Sequence, residues 1–210
     1  MRTPAPLVVA AALTAALTSG CSGDDGPTPR DLAASAPVPG VTLPPDALLD
    51  LVPRPTEVPP GMVPVLTGSG RRDIATVAGY SGTGAAATAA EARLKAHGFA
   101  GAYVAQYAHP TSGQVLSVVA SEFATAEGAT ADYADDQKDQ SGTAVAGAET
   151  VGEASSVRVQ DLPGSPASQL VLVRFRSGTH TWSLAYKATP TADPQVGTAI
   201  AKVLASRATA

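Results

Sequence analysis

The chain has 210 residues, with 14 Lys and Arg against 18 Asp and Glu and a formal net charge of −4. Only 15% of its residues are charged and 4% are aromatic, and no basic run or aromatic-studded basic patch occurs. That composition excludes nucleic-acid binding as an expectation and leaves a surface built largely of Ala, Ser, Thr and Gly. Asn is absent, Lys numbers four against ten Arg, and Ile occurs twice. The scarce residues are those with AT-rich codons, which points to a GC-rich bacterial genome, an actinobacterium above all.

The chain starts with Arg2, then an apolar run from Ala5 to Leu17, then Thr18-Ser19-Gly20-Cys21. A short positive start, an apolar core and small residues make a secretory signal, too short for a spanning helix. Small residues just before a cysteine resemble the lipobox of bacterial lipoproteins. The resemblance covers residues 1–21. It implies that 1–20 is removed and that Cys21 becomes a lipid-modified N-terminus, anchored to the outer face of the cell membrane. The alternative is an ordinary signal cut near Ala16 or Gly20, with Cys21 left as a free thiol. Cys21 is the sole cysteine, so no intramolecular disulfide is available, and acylation removes a thiol that would be a liability in an oxidising compartment. Two acyl chains give stable attachment, since each buried methylene contributes about 0.8 kcal/mol.

Residues 21–45 are dominated by Gly, Pro, Ser, Thr and Asp without apolar periodicity. Such a stretch cannot bury enough surface to offset its ordering entropy and is expected as a tether, extending about 3 Å per residue. The remaining residues, 46–210, are expected to form a single α+β domain. Asp46 can cap a turn or two through Val52, ended by Pro53. Residues 53–70 carry Val58, Met62, Val63, Val65 and Leu66 and are expected to lie along the domain. Asp73 to Tyr80 reads as an edge strand or a short helix.

Thr83 can cap a helix over 84–97, with Ala90, Leu94 and His97 on one stripe and Gly98 as its stop. Tyr103 to Tyr107 alternates at the strand period, Pro110 to Gly113 turns, and Val115 to Phe123 returns as a strand. Thr125 can cap a helix over 126–138, and Gly142 to Glu149 reads as loop. Val157 and Val159 mark a short half-buried strand. Gln169–Arg176 and Thr179–Ala188 form the clearest hairpin, with Ser177-Gly178 as its turn. Its pairing puts Val171, Val173 and Phe175 on one face with Trp182, Leu184 and Tyr186, and leaves the other face wet. Asp193-Pro194 opens a final helix with Val196, Ile200, Val203 and Leu204 on one face. Residues 102–138 and 169–206 thus share one plan, strand-turn-strand-helix. The expected fold is an antiparallel sheet with helices packed on one face, two ββα units that are either a duplication or a coincidence.

Chemical motifs are few. Gly79-x-x-Gly82-x-Gly84 lacks the Lys-Ser/Thr ending of a phosphate loop and reads as loop glycines. His97, His109 and His180 lack metal-ligand spacing. No Gly-x-Ser-x-Gly or Ser-x-x-Lys occurs. Glu122 reads as a strand-end carboxylate, and Asp132, Asp135, Asp136 and Asp139 as a solvated helix end without the Gly and Glu of a calcium loop. No catalytic residue, metal ligand or cofactor is assigned. Arg158, Arg174, Arg176 and Lys187, which share the polar sheet face, form a candidate interaction face for wall polymer, lipid headgroups or a partner's carboxylates. The functional expectation is a non-catalytic, membrane-anchored binding module of the cell envelope, its partner an envelope protein or wall polymer. The alternative is a carrier or sensor for a small apolar ligand, housed between the sheet and its helices.

Overall fold

A computed structural model describes residues 42–138, 140–164 and 166–208. The signal segment 1–20, Cys21 and all but the last four residues of the expected tether lie outside the described residues. Eight strands form one antiparallel sheet: β1 (Val63–Pro64), β2 (Gly70–Arg72), β3 (Phe99–Ala108), β4 (Val115–Phe123), β5 (Thr143–Ala144), β6 (Ala154–Leu162), β7 (Ser168–Ser177) and β8 (His180–Ala188). Their order is β1-β3-β4-β8-β7-β6-β5, and β2 also pairs with β3. The helices are α1 (Ile74–Gly79), α2 (Ala85–Ala96), α3 (Ala126–Lys138) and α4 (Pro194–Ala208). This is the α+β antiparallel architecture that the alternation pattern implies.

The central hairpin follows from its side-chain period. Phe175 pairs with Trp182, Val173 with Leu184 and Val171 with Tyr186, all directed to one face. The turn, however, falls at Gly178-Thr179, because Ser177 pairs with His180. Gly178 has φ +55, the left-handed conformation that a tight hairpin turn demands. The shift moves each cross-strand partner by two residues, so every side chain keeps its expected face.

That first face is the dry one. Ile200, Ala201, Leu204 and Ala205 of α4 pack on it, together with Leu43, Leu48, Val52, Val58 and Met62 from the N-terminal segment. Three aromatic side chains tie this segment to the sheet through backbone carbonyls. Tyr103 Oη donates to Pro44 O at 2.7 Å, Tyr107 Oη to Pro53 O at 2.5 Å, and Trp182 Nε1 to Leu51 O at 2.8 Å. Packing therefore begins at Leu43, inside the stretch expected as tether, because Leu43 has an apolar slot and Pro44 an acceptor that Tyr103 needs.

The helices, expected on one face, occupy both. α1, α2 and α3 lie against the second face, where Ala78, Ala90, Leu94, Phe123 and Ala129 make a smaller core. The physical reason lies in the residues between the arginines. Val104, Leu170, Leu172 and Ala185 share that face and are buried, so it is too apolar to be left in water. The dyad relating β4 to β8 would put both following helices on one face. With α3 on one side and α4 on the other, the two ββα units do not obey it.

Local signals held in most places. Asp73 caps α1, its side chain accepting from Thr76 N, which decides between strand and helix there. Thr125 Oγ1 accepts from Gly128 N at the start of α3, and Asp193 Oδ1 accepts from Gln195 N at the start of α4. Thr83 does not cap α2: the N-cap is Gly84 at φ +60, with no side-chain capping bond. Val203 is 38% exposed while its neighbour Leu204 is fully buried, a consequence of the 100° turn between successive helical residues.

Candidate functional site

Between the second sheet face and helices α1, α2 and α3 lies a cavity of about 150 Å³. Its floor is strands β4 and β8, where Ser121 pairs with Thr181 and Val119 with Ser183. Alternation along each strand brings small hydroxyls and small apolar groups to the same face. Leu94 of α2 and Val77 of α1 supply apolar wall, while Arg93, Asp132, Asp136 and Arg174 line the other end.

The charged end is organised around Asp136. Arg174 Nη1 lies 3.0 Å from Asp136 Oδ2 and donates to Asp136 O at 3.0 Å. Arg93 Nη2 approaches Asp136 Oδ1 at 3.6 Å. One carboxylate thus serves two guanidinium groups. Both guanidinium groups have a buried Nε without a hydrogen-bond partner, and Arg174 is only 6% exposed. A buried donor left unmade costs about 1–3 kcal/mol, so the charged end carries two such costs in the folded chain.

Asp132, one turn before Asp136 on α3, is buried. Its Oδ2 accepts from Thr181 Oγ1 at 3.3 Å, and its Oδ1 lies 4.0 Å from His97 Nδ1. Burial and the neighbouring Asp136 carboxylate push its pKa up to about 7, against the opposing pull of Arg93, the Thr181 hydroxyl and Arg174. His97 Nε2 faces Asp135 Oδ2 at 3.6 Å, so this histidine lies between two aspartates of α3, its Nδ1 buried without a hydrogen-bond partner. No serine or threonine hydroxyl bonds to His97 among the described residues.

The four cations of the candidate interaction face do share one sheet face, but three are engaged internally. Arg174 is held by Asp136 as described. Arg176 pairs with Glu153, whose carboxylate also accepts from Gly178 N at 2.9 Å. Arg158 donates from Nε to Ser141 O at 3.0 Å and to Gly142 O at 3.1 Å, tying down the 140–145 loop. Lys187 is half-buried at the far end of β8. Arg174 is thus bound to α3 and Arg158 to the segment that follows it, where they brace the fold. The lipidation candidate Cys21 lies outside the described residues.

The remaining motif residues fall apart from one another. His109 closes a turn, its Nδ1 accepting from Thr111 N and Ser112 N. His180 sits beside Trp182, and burial lowers its pKa despite the opposing Glu122. Gly82 and Gly84 lead into α2 with positive φ. Among the described residues no group of three or more His, Cys, Asp or Glu is placed to hold a metal ion, and no helix is long and apolar enough to cross a membrane.

No protein-family model matches the chain, and no curated protein does. Among solved structures, its fold is similar to the extracellular domain of PknH from Mycobacterium tuberculosis, with a TM-score of 0.54 and 12% sequence identity over 76% of this chain and 93% of that one. The likeness is one of fold alone. It includes no statement about the cavity residues, whose chemistry stands on this chain's own geometry.

Proposed function

We propose that this chain is an extracytoplasmic, non-catalytic binding module, held at the membrane through lipid-modified Cys21, and that the cavity over β4 and β8 is its ligand site. One observation carries the reading: a cavity of about 150 Å³ is lined by Ser117, Ser121, Thr181 and Ser183 together with Arg93 and Arg174, the two arginines that share the Asp136 carboxylate. The secretory signal and the fold similar to the extracellular domain of PknH support the compartment. The arrangement favours a polar ligand over the apolar one considered from sequence, because an apolar group seated against Ser117, Ser121 and Ser183 would take their hydroxyls out of water without replacing the hydrogen bonds lost. At about 150 Å³ the cavity is smaller than the roughly 300 Å³ at which drug-sized sites begin, so its ligand is small.

The test is thermal unfolding of the full chain against a panel of small polar metabolites, with labelled-palmitate incorporation measured in parallel. A ligand present at about a hundred times its dissociation constant adds about 2.7 kcal/mol, a shift of several degrees. A saturable shift abolished by the cavity-filling Ser183→Leu supports the reading. A flat panel, or a shift that Ser183→Leu leaves intact, overturns the cavity as the site. Loss of palmitate label in Cys21→Ala supports the anchor, and unchanged label overturns it.

A further inference from the structure

The floor of the cavity restricts the class of its ligand, an inference that rests on reading the cavity as the binding site. Strand pairing sets Ser121 opposite Thr181, Val119 opposite Ser183 and Ser117 opposite Ala185. Ser117, Ser183 and Ser121 therefore zigzag across β4 and β8, each step a cross-strand diagonal of about 7–8 Å. All three line the cavity, and among the described residues none of their hydroxyls bonds to another group. Ser121 is only 8% exposed. Its hydroxyl nevertheless reaches open space, whereas the Nε atoms of Arg93 and Arg174 are sealed. A polar side chain so nearly buried, with no partner in the protein, has its hydrogen bond to make inside the cavity.

The charged groups at the other end are turned on one another. Asp136 receives both Arg93 and Arg174. Asp132 accepts from Thr181 and stands 4.0 Å from His97, whose other ring nitrogen faces Asp135. Each of these three basic side chains has a carboxylate within 4.0 Å. An ion entering here would lose its water beside charges already engaged, a cost that an uncharged ligand escapes. Hydroxyls remain to be matched. A serine hydroxyl donates, accepts and rotates to suit its partner, and hydrogen bonds of about 2.8 Å at each end let ligand hydroxyls bridge the two diagonals. Val119, between the two serines of β4, and Leu94 of α2 offer carbon to the C–H side of such a ligand. At about 150 Å³, below the roughly 300 Å³ of drug-sized sites, the cavity admits a chain of a few carbons and no oligosaccharide.

We propose that the cavity binds a small uncharged polyol, its hydroxyls hydrogen-bonded to Ser117, Ser183 and Ser121 and its carbon chain laid against Val119 and Leu94. Specificity over a simple alkanediol comes from the serines, which a missing ligand hydroxyl leaves unpaired. Specificity over the matching acid comes from the absence of a free counter-charge.

The test is a ¹⁵N–¹H titration of the full chain in a polyoxyethylene detergent, which carries no sugar, reading the backbone amides of Ser121, Thr181 and Ser183. The probes share one four-carbon chain: meso-erythritol, butane-1,4-diol, which lacks the two inner hydroxyls, and sodium erythronate, which carries a carboxylate. Erythritol is expected to shift these amides saturably and about tenfold more tightly than either of the others, and Ser121→Ala and Ser183→Ala are each expected to weaken it about three- to tenfold. Butanediol binding as tightly as erythritol overturns hydroxyl recognition, and erythronate binding more tightly overturns the uncharged ligand; both leave the cavity standing as a binding site. Erythritol affinity unchanged in both serine variants overturns the assignment of the three serines. If no probe moves these amides the ligand class is overturned, and the metabolite panel with Ser183→Leu decides separately whether the cavity binds anything. Should either alanine variant lose its dispersed spectrum, the erythritol and butanediol affinities of the unaltered chain still decide.

Discussion

The two faces of the sheet solve the same problem, covering β3, β4, β7 and β8, in opposite ways. On the first face, α4 and the N-terminal segment press aliphatic and aromatic side chains together, with Phe175 stacked on Trp182 at 4.6 Å and an interplanar angle of 3°. On the second, α2 and α3 stand over short hydroxyl residues and a shared ion pair, and a cavity is left. The difference teaches where function can be housed. A close-packed face derives its stability from contacts that any cavity would forfeit, whereas a face of Ser, Thr, Arg and Asp can stay partly open because its polar groups have partners or await one. The chain therefore concentrates close packing on one side and leaves the proposed binding cavity on the other.

The sharpest way to break the contrast is to open the dry face. Trp182→Ala removes the stacked ring and the donor to Leu51 O together. Large aromatic truncations in a core cost about 3–5 kcal/mol, and urea unfolding should show a loss in that range. Because Leu51 belongs to the N-terminal segment, amide exchange over 46–58 should accelerate as well. A loss below about 1 kcal/mol would mean that the first face is not the stability-bearing one.

A second contrast lies in two glycines that seat the helices. A Cβ at Gly128 of α3 would stand 2.0 Å from the backbone carbonyl oxygen of His97. A Cβ at Gly197 of α4 would meet methyl groups of Val173 at 2.9 Å and Val171 at 3.3 Å. Side-chain methyls can shift by a few tenths of an ångström, but the end of α2 cannot move without opening the cavity. Gly128→Ala is expected to cost about 2–3 kcal/mol, within the range for overpacking. Gly197→Ala should cost about 1 kcal/mol or less, since Ala also favours the helix over Gly. Chemical denaturation of the two variants gives the comparison, and equal losses would show that α3 is no more tightly seated than α4.

How much of this was legible in the sequence follows from distance along the chain. Alternation is local and fixes the faces of the β7–β8 hairpin, whereas its turn falls one residue later than the pattern suggests because Ser177-Gly178 and Gly178-Thr179 offer the same glycine. The second face was misread for a different reason. The aspartates of α3 read as a solvated helix end and the strand arginines as an outward interaction face, and neither pattern contains the other. Asp136 and Arg174 are 38 residues apart where they hydrogen-bond. Two oppositely charged rows, one on a helix following β4 and one on the strands beside it, were the available signal, and only the sheet order β4-β8-β7 brings them together. Thr83 failed as a cap because Gly84, able to take φ +60, let the chain enter α2 one residue later.

The effect that reports on the cavity directly is a slope with pH rather than a single loss. Asp132 has its pKa raised to about 7 in the folded chain, against an unfolded value of about 3.9. Between those values the folded state binds more protons than the unfolded state, so stability is greatest at the acid end of the window and falls as pH rises toward 7. One such group contributes a slope of at most about 1.4 kcal/mol per pH unit. The burial-depressed pKa of His180 acts in the opposite sense in the upper part of this window, so the wild-type curve alone mixes the two. Asp132→Asn keeps the acceptor for Thr181 while removing the titration. Subtracting its stability curve from the wild-type curve between pH 4.5 and 7.5 should leave a difference that favours wild type at the acid end and shrinks or reverses toward neutral, by about 1 kcal/mol per unit or less. A flat difference would mean that Asp132 is ionised throughout, its carboxylate then standing beside Asp136 at the charged end of the cavity.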